Sequence, residues 1–340
     1  MERRERGNVD GVSTGGEDPE GQVVAGRYRL GPVIGVGSSA VVRRGRDLRD
    51  GVRVAVKLFH PGATADDRRQ QRREMDALSR LDHPGLVGLR DGGTVSGRPF
   101  VVTDLVEGPT LAQRIGSGPV PADRVRRMGA QLADALAHVH AGGIVHRDVK
   151  PANVLLGDGS RAHLADFGIA KGLDGADSTE AGMIVGTAAF LAPEQARGQD
   201  VGPPADVYAL GLVLLEALTG RREYPGRAAE SATARLHRRP TVPADLPDGL
   251  GAVLDAMTQD DPATRPTAAE VAAALTAPSR HRRGARHRRS AAPGRPARRA
   301  ALPVAAAAAL LLAAGFGAVA LLSPPPVPAT ASTPAAPAAP

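Results

Sequence analysis

The spacing of apolar residues changes once along this chain, and that change dictates a fold in two parts. From residue 27 to 105 the apolar residues come in short alternating runs. Val52, Val54, Val56 and Leu58 fall on one face, the two-residue period of a strand, and Phe100-Val101-Val102 form another such run. Residues 65–80 interrupt them with a polar, charged stretch in which Met75, Leu78 and Leu81 recur at helical spacing. From 109 to 277 the period lengthens. Val125, Met128, Leu132, Leu136 and Val139 recur at steps of three and four, and Gly142-Gly143 stop that helix. Val207, Leu210, Val213, Leu214 and Leu218 repeat the pattern up to Gly220, and a last helix covers Glu270 to Leu275. No internal repeat of 20–50 residues is visible. The expected fold class is therefore α+β, with a mostly β small lobe (27–105) carrying one helix and a helical large lobe (109–277).

Composition narrows the chemistry. The chain has no cysteine, which excludes disulfides, thiolate metal sites and cysteine nucleophiles. Its net charge of +7 resembles that of a nucleic-acid binder, but the charge is local. Residues 280–299 hold nine Arg and no acid, while residues 1–279 carry 34 basic against 36 acidic residues, a net of −2. A nucleic-acid surface would spread its cations over a folded domain, so no nucleic-acid partner is expected.

Four short motifs carry candidate chemistry, and a fifth follows them. Gly35-Val36-Gly37-Ser38-Ser39-Ala40-Val41-Val42 places two glycines between strands, where backbone N–H groups can approach phosphate oxygens. A plain hairpin loop writes the same residues. Only three of the 43 basic residues are lysines, and one of them, Lys57, ends Val54-Ala55-Val56-Lys57 on the strand face that also carries Arg53. A buried lysine needs an anion, and Glu74 in the next segment is a candidate. The competing reading is a snorkelling edge residue. In His146-Arg147-Asp148-Val149-Lys150-Pro151-Ala152-Asn153 a carboxylate can accept a hydroxyl proton and an asparagine in the same loop can ligate Mg²⁺. Lys150 can neutralise a transferring phosphoryl group. Asp166-Phe167-Gly168 offers a second Mg²⁺ ligand on a turn, and Ala192-Pro193-Glu194 follows.

In this order the motifs resemble the signature set of the protein kinases. The chain is similar to the bacterial eukaryotic-like Ser/Thr protein kinases of the membrane-anchored type common in actinobacteria, over about Tyr28 to Leu275. The resemblance implies a bilobal protein-kinase-like fold with ATP in the cleft. It implies Asp148 as catalytic base, Lys57 on the α/β-phosphates and paired with Glu74, and Lys150 near the γ-phosphate. Asn153 and Asp166 would hold Mg²⁺ (or Mn²⁺). Ile34, Gly35, Val36, Gly37, Ser38, Ser39, Ala40, Val42 and Ala55 would line the nucleotide site, with Thr103 as gatekeeper and Asp104 and Val106 offering backbone groups to adenine. Lys150 two residues after the base, together with Thr187 after Gly186, implies Ser and Thr as acceptors. Asp206 resembles the helix residue that braces the catalytic loop, and Glu194 and Arg265 resemble the buried ion pair of the large lobe. Arg147 implies an activation segment ordered by phosphate, with Ser178 and Thr179 as candidate phosphosites.

The implied activity is transfer of the γ-phosphoryl group of ATP to Ser and Thr hydroxyls of proteins, the chain itself included. The alternative, a catalytically inactive nucleotide-binding scaffold, is disfavoured because Lys57, Asp148 and Asp166 are all present. Two departures stand out. Ala40 occupies the place of the third glycine of the loop motif, and residues 221–247, rich in Arg and Pro, match the family loosely.

Outside the two lobes, residues 1–26 read as a disordered leader without a signal-peptide apolar run. Residues 278–299 read as a basic juxtamembrane linker. Residues 300–322 are 23 consecutive uncharged residues. As a helix they reach ~35 Å, enough for a ~30 Å hydrocarbon core, so a single transmembrane helix is expected. The arginines on its N-terminal side would keep the two lobes in the cytoplasm and would meet anionic lipid. The Pro- and Ala-rich tail, 323–340, would lie outside the cell and is too short to bury a core. Entry of a signal through a partner protein and through a homodimer both stay open.

Overall fold

The computed structural model describes residues 21–37, 40–60, 75, 78–166, 188–247 and 249–277. Ser38, Ser39, Glu74, Ser178, Thr179, Thr187, the basic linker, the expected span and the outer tail lie outside the described residues. Among those described, no helix is long and apolar enough to cross a membrane.

The small lobe is a six-stranded antiparallel sheet in the order β1-β2-β3-β4-β6-β5, with β1 (Val23–Val24), β2 (Tyr28–Val36), β3 (Ala40–Asp47), β4 (Arg53–Phe59), β5 (Leu89–Val95) and β6 (Arg98–Asp104). The alternation around Val52 becomes β4, though Val52 itself precedes the strand and is exposed. Val54, Val56 and Leu58 pack with Tyr28, Leu30, Phe100 and Val102 in one core, as a two-residue period requires. Ordered structure begins inside the stretch expected to be a disordered leader. Val24 is buried in that same core, and its strand pairs with Tyr28. The burial of the valine side chain and the pairing with β2 oppose the entropy cost of fixing this short strand.

The large lobe contains α1 (Leu111–Gly116), α2 (Ala122–Ala141), the hairpin β7 (Val154–Leu156) and β8 (Ala162–Leu164), α3 (Pro193–Ala196), α4 (Pro203–Thr219), α5 (Ala228–His237), α6 (Leu250–Met257) and α7 (Ala268–Thr276). The stripe Val125, Met128, Leu132, Leu136 and Val139 is the buried face of α2. On α4 the expected stripe is only part of the buried surface. Asp206, Tyr208, Ala209, Leu212 and Leu215 are buried as well, because α4 runs through the middle of the lobe. It ends at Gly220, whose left-handed φ of 69° suits glycine. Thr267 and Glu270 start α7 with a capping box: the Glu270 N–H donates to Thr267 Oγ1 and the Thr267 N–H to the Glu270 carboxylate.

Two short stretches join the lobes. Gly108 sits at φ 145°, and a Cβ there would lie 1.9 Å from the Leu156 carbonyl oxygen, so the hinge can rest on β7 only with glycine at this point. Residues 85–87 lie within the small-lobe range of the sequence but dock on β8. The Leu164 N–H donates to Gly85 O at 2.8 Å and the Val87 N–H to Leu164 O at 3.0 Å, and Leu86 belongs to the large-lobe core.

Candidate active site

The loop between α2 and β7 is held from beneath by one carboxylate. Asp206, near the N-terminus of α4 and 1% exposed, accepts the backbone N–H of His146 and of Arg147, each at 2.8 Å, and bonds His140 Nε2 at 2.9 Å. The positive end of the α4 dipole favours its charge. Arg147 stands at φ 62°, a conformation that persists for a residue with a side chain only where the surroundings enforce it. His146 is fully buried. Its Nδ1 accepts the Asp148 N–H at 3.3 Å, so Nε2 carries the proton and donates to Ala165 O at 3.2 Å. Burial holds this imidazole below the usual histidine range, which keeps it neutral.

On that support stands Asp148. Its Oδ2 accepts Lys150 Nζ at 2.8 Å and Asn153 Nδ2 at 2.9 Å, and Asn153 Nδ2 also donates to the Asp148 carbonyl at 2.8 Å. Its Oδ1 is buried and has no hydrogen-bond partner among the described residues. An unsatisfied buried carboxylate oxygen is costly, and it is chemically able to accept a proton from a hydroxyl. With Asn153 Nδ2 committed to Asp148, Asn153 Oδ1 is the oxygen left to ligate a cation.

The lysine of β4 meets the loop after β8. Lys57 Nζ donates to Asp166 Oδ1 at 2.8 Å. Strand β4 lies between β3 and β6, which removes the edge reading of Lys57. The expected partner, Glu74, lies outside the described residues, and the observed carboxylate is one that no local pattern pointed to. Asp166 is at φ 55°, and its neighbour Ala165 donates its N–H to Asn153 O at 2.9 Å, which ties the two loops together.

The nucleotide side is built by β2, β3, β4 and the hinge. Ile34 and Val36 are exposed on β2, and the β2–β3 pairing shifts register between Val33 and Gly35. The Gly37 N–H donates to Ala40 O at 2.8 Å and draws the ends of β2 and β3 together. A Cβ on Gly35 or Gly37 would meet nothing closer than 3.5 Å, and neither has a positive φ, so the fold itself does not require glycine there. The glycines leave room for something approaching the backbone from outside. Val42 pairs with Lys57, and Ala55 with Thr103. Thr103 Oγ1 donates to Asp104 O at 3.3 Å, the Asp104 N–H donates to Gly88 O at 2.9 Å, and no backbone hydrogen bond among the described residues uses the Val106 N–H. These features fit a nucleotide. Asn153 Oδ1 and the Asp166 carboxylate fit a Mg²⁺ ion, which takes one or two protein oxygens together with phosphate oxygens and water.

Below the loop, Glu194 of α3 and Arg265 form a bidentate pair, Nη1–Oε1 2.7 Å and Nη2–Oε2 2.8 Å, with Arg265 fully and Glu194 almost fully buried. Three carbonyls, of Gln259, Pro204 and Asp260, accept the other Arg265 hydrogens. His140 is a ligand of Asp206 that the sequence reading missed. Its signal was its place one turn before the loop, on a helix whose apolar stripe passes on either side of it.

A β sheet over a helical lobe, with a carboxylate base, a lysine–aspartate pair and a glycine loop around one cleft, defines the protein kinase class. The chain belongs to that family: residues 28–275 match the protein kinase domain. It is 36% identical over 255 residues to the serine/threonine-protein kinase PknA of Mycobacterium tuberculosis, covering 72% of this chain and 59% of PknA. It is 37% identical over 248 residues to PknL of the same organism, covering 72% of this chain and 61% of PknL. A probable serine/threonine-protein kinase of Thermomonospora curvata, PkwA, is 36% identical over 255 residues, 74% of this chain and 34% of PkwA. The chain thus spans about three-fifths of the length of the two mycobacterial relatives. Among solved structures, the PknI kinase domain of M. tuberculosis matches with a TM-score of 0.59 at 28% identity, over 75% of this chain and 97% of that domain.

Proposed function

We propose that the chain transfers the γ-phosphoryl group of ATP to Ser and Thr hydroxyls of proteins, itself included, and does so anchored to a membrane. The observation that carries the reading is the Asp148 carboxylate, with Oδ2 held by Lys150 and Asn153 and Oδ1 buried without a partner among the described residues. Oδ1 accepts the proton of the acceptor hydroxyl, while Lys57 and Lys150 neutralise phosphate charge. Asn153 and Asp166 hold Mg²⁺ (or Mn²⁺), which when bound neutralises the charge on the β- and γ-phosphates. The mycobacterial and Thermomonospora relatives, all serine/threonine kinases by name, support Ser and Thr as acceptors over an inactive scaffold. Ser178 and Thr179 are proposed as autophosphorylation sites and Thr187 as part of the acceptor-binding end of that segment.

Membrane anchoring rests on the 23 uncharged residues 300–322 and the nine arginines before them. Positive-inside bias favours a cytoplasmic kinase domain and an outer tail, and the arginines suit anionic lipid as a partner of the linker.

The test is phosphate incorporation by the full chain in anionic lipid vesicles, with labelled ATP and Mg²⁺, beside Asp148→Asn. Incorporation by the first and a loss of at least 100-fold in the second supports the reading. Equal incorporation removes Asp148 from its role. ATP binding without incorporation in either protein returns the scaffold. Extraction of the chain from the vesicles by carbonate or high salt would refute the membrane span.

A further inference from the structure

Helix α5 carries a guanidinium that the site described above does not use. Arg235 is 1% exposed and has the greatest volume of any fully buried side chain among the described residues. A buried cation is costly unless it is paired, yet no carboxylate meets it among the described residues. Its donors go to carbonyls instead. Nη1 donates to Leu191 O and Nη2 to Ala188 O. Nε donates to Ser231 O at 3.1 Å, and Nη2 also reaches Ser231 Oγ at 3.2 Å. The Ser231 hydroxyl donates to Tyr224 O at 2.9 Å, and the guanidinium lies 4.8 Å over the Tyr224 ring. Four hydrogen bonds and a ring face take the place of a counter-ion.

The carbonyls it grips bracket one tight turn, Ala188–Phe190. Phe190 and Leu191 line the same small depression as Asp148 and Lys150. Phe190 and Leu191 are only 7% and 9% exposed, so a hydroxyl brought to this depression meets their edges, and so does the polypeptide that bears it. A planar guanidinium can bridge two carbonyls three residues apart, whereas an ammonium offers a single point of donation.

We propose that Arg235 is a positioning residue for the acceptor polypeptide: it clamps residues 188–191 so that Phe190 and Leu191 form the wall along which the segment flanking the acceptor Ser or Thr lies. The proposal rests on the phosphoryl-transfer reading. Arg235 touches neither nucleotide nor reacting atoms, and it acts through the backbone of that turn. Discrimination among acceptor sequences is then set partly from α5, in the region 221–247 where the sequence matched its family loosely.

The experiment measures steady-state kinetics of the full chain, wild type against Arg235→Met and Arg235→Lys, with Ser peptides that differ at the residues flanking the acceptor. KM for peptide, KM for ATP and peptide-free ATP hydrolysis are read separately. The Met variant is expected to raise peptide KM at least 10-fold and flatten the preference among peptides, with both ATP parameters within twofold of wild type. The Lys variant, which keeps the charge but not the fork, is expected to raise peptide KM at least threefold, and it carries the test if the Met variant does not fold. Leu191→Ala is expected to raise peptide KM as well, and to add nothing when combined with Arg235→Lys. Unchanged peptide KM in the Lys variant overturns the proposal, as does a parallel loss of peptide and ATP parameters. A wild type that binds ATP but phosphorylates no peptide overturns the kinase reading instead, and with it this one.

Discussion

The backbone N–H of Arg147 donates to Asp206 Oδ1 at 2.8 Å, across 59 residues of chain, and Arg147 is held at φ 62°. The same carboxylate accepts the His146 N–H and bonds His140 Nε2. One buried acid thereby sets the backbone on which Asp148, the proposed base, stands. Asp206→Ala leaves these groups without an acceptor, at about 1–3 kcal/mol for each buried donor. With three such donors a loss of about 3 kcal/mol or more is expected, together with at least a 100-fold fall in turnover. Asp206→Asn keeps one acceptor oxygen and should fall between. Urea midpoints read beside turnover check this, and full activity in the Ala variant would show that the loop holds itself.

Lys57 and Asp166 predict a different balance. Asp166 is 45% exposed on its side chain, so the ion pair is partly solvated. Pairs of that kind contribute at most about 1 kcal/mol. Lys57→Met should therefore leave the melting temperature within a few degrees while raising KM for ATP at least 10-fold. A large drop in Tm with little change in KM would assign Lys57 to the fold rather than to phosphate.

Glu194 and Arg265 invert that balance, because both are buried. Arg265→Met strands Glu194, whose oxygens have no other hydrogen-bond partner among the described residues. The cost of such a stranded charge is about 3–5 kcal/mol. Glu194→Gln leaves Arg265 with three carbonyl acceptors. The Gln variant should thus be the milder of the two by denaturant unfolding, and the opposite order would contradict the assignment of the carbonyl contacts.

His146 predicts a pH dependence of stability. Burial depresses its folded pKa, so the folded protein holds it neutral while the unfolded chain takes up a proton near the ordinary histidine value of about 6.5. Above that value neither state binds the proton and the residue contributes nothing. As pH falls through it the unfolded state binds more protons, and stability declines. His163 is depressed too, chiefly by burial and next by Arg161, and adds to the same slope. The unfolding midpoint should fall from pH 7 to pH 5. His146→Gln, which can still donate to Ala165 O, should reduce that slope without abolishing it. A slope identical to wild type would place the titration elsewhere.

Much of this architecture was legible before any coordinate. The alternation that became β4 and the stripe that became the buried face of α2 are local patterns. So is the stop at Gly220, where a left-handed residue ends α4. The motif residues Asp148, Lys150 and Asn153 lie within one loop, so their meeting follows from short chain separation. Val24 was less legible, because its burial depends on a strand partner and a core assembled from residues up to Val102. The full burial of α4 was less legible for the same reason: the stripe from Val207 to Leu218 marks one face, while Tyr208, Ala209, Leu212 and Leu215 are covered by elements distant in sequence.

The sequence by itself determined the periods of the elements, the glycines that end them and the order in which the chemical groups come along the chain. Those depend on neighbours a few residues away, through side-chain spacing and backbone freedom. Tertiary structure alone decided that Lys57 meets Asp166 from 109 residues away, and that His140 shares Asp206 with the catalytic loop. It alone decided that a buried Arg235 grips the carbonyls of Ala188 and Leu191, with no acid opposite it among the described residues. Such contacts are set by how whole elements dock, and in a dry interior each polar group takes whichever partner that docking brings within reach.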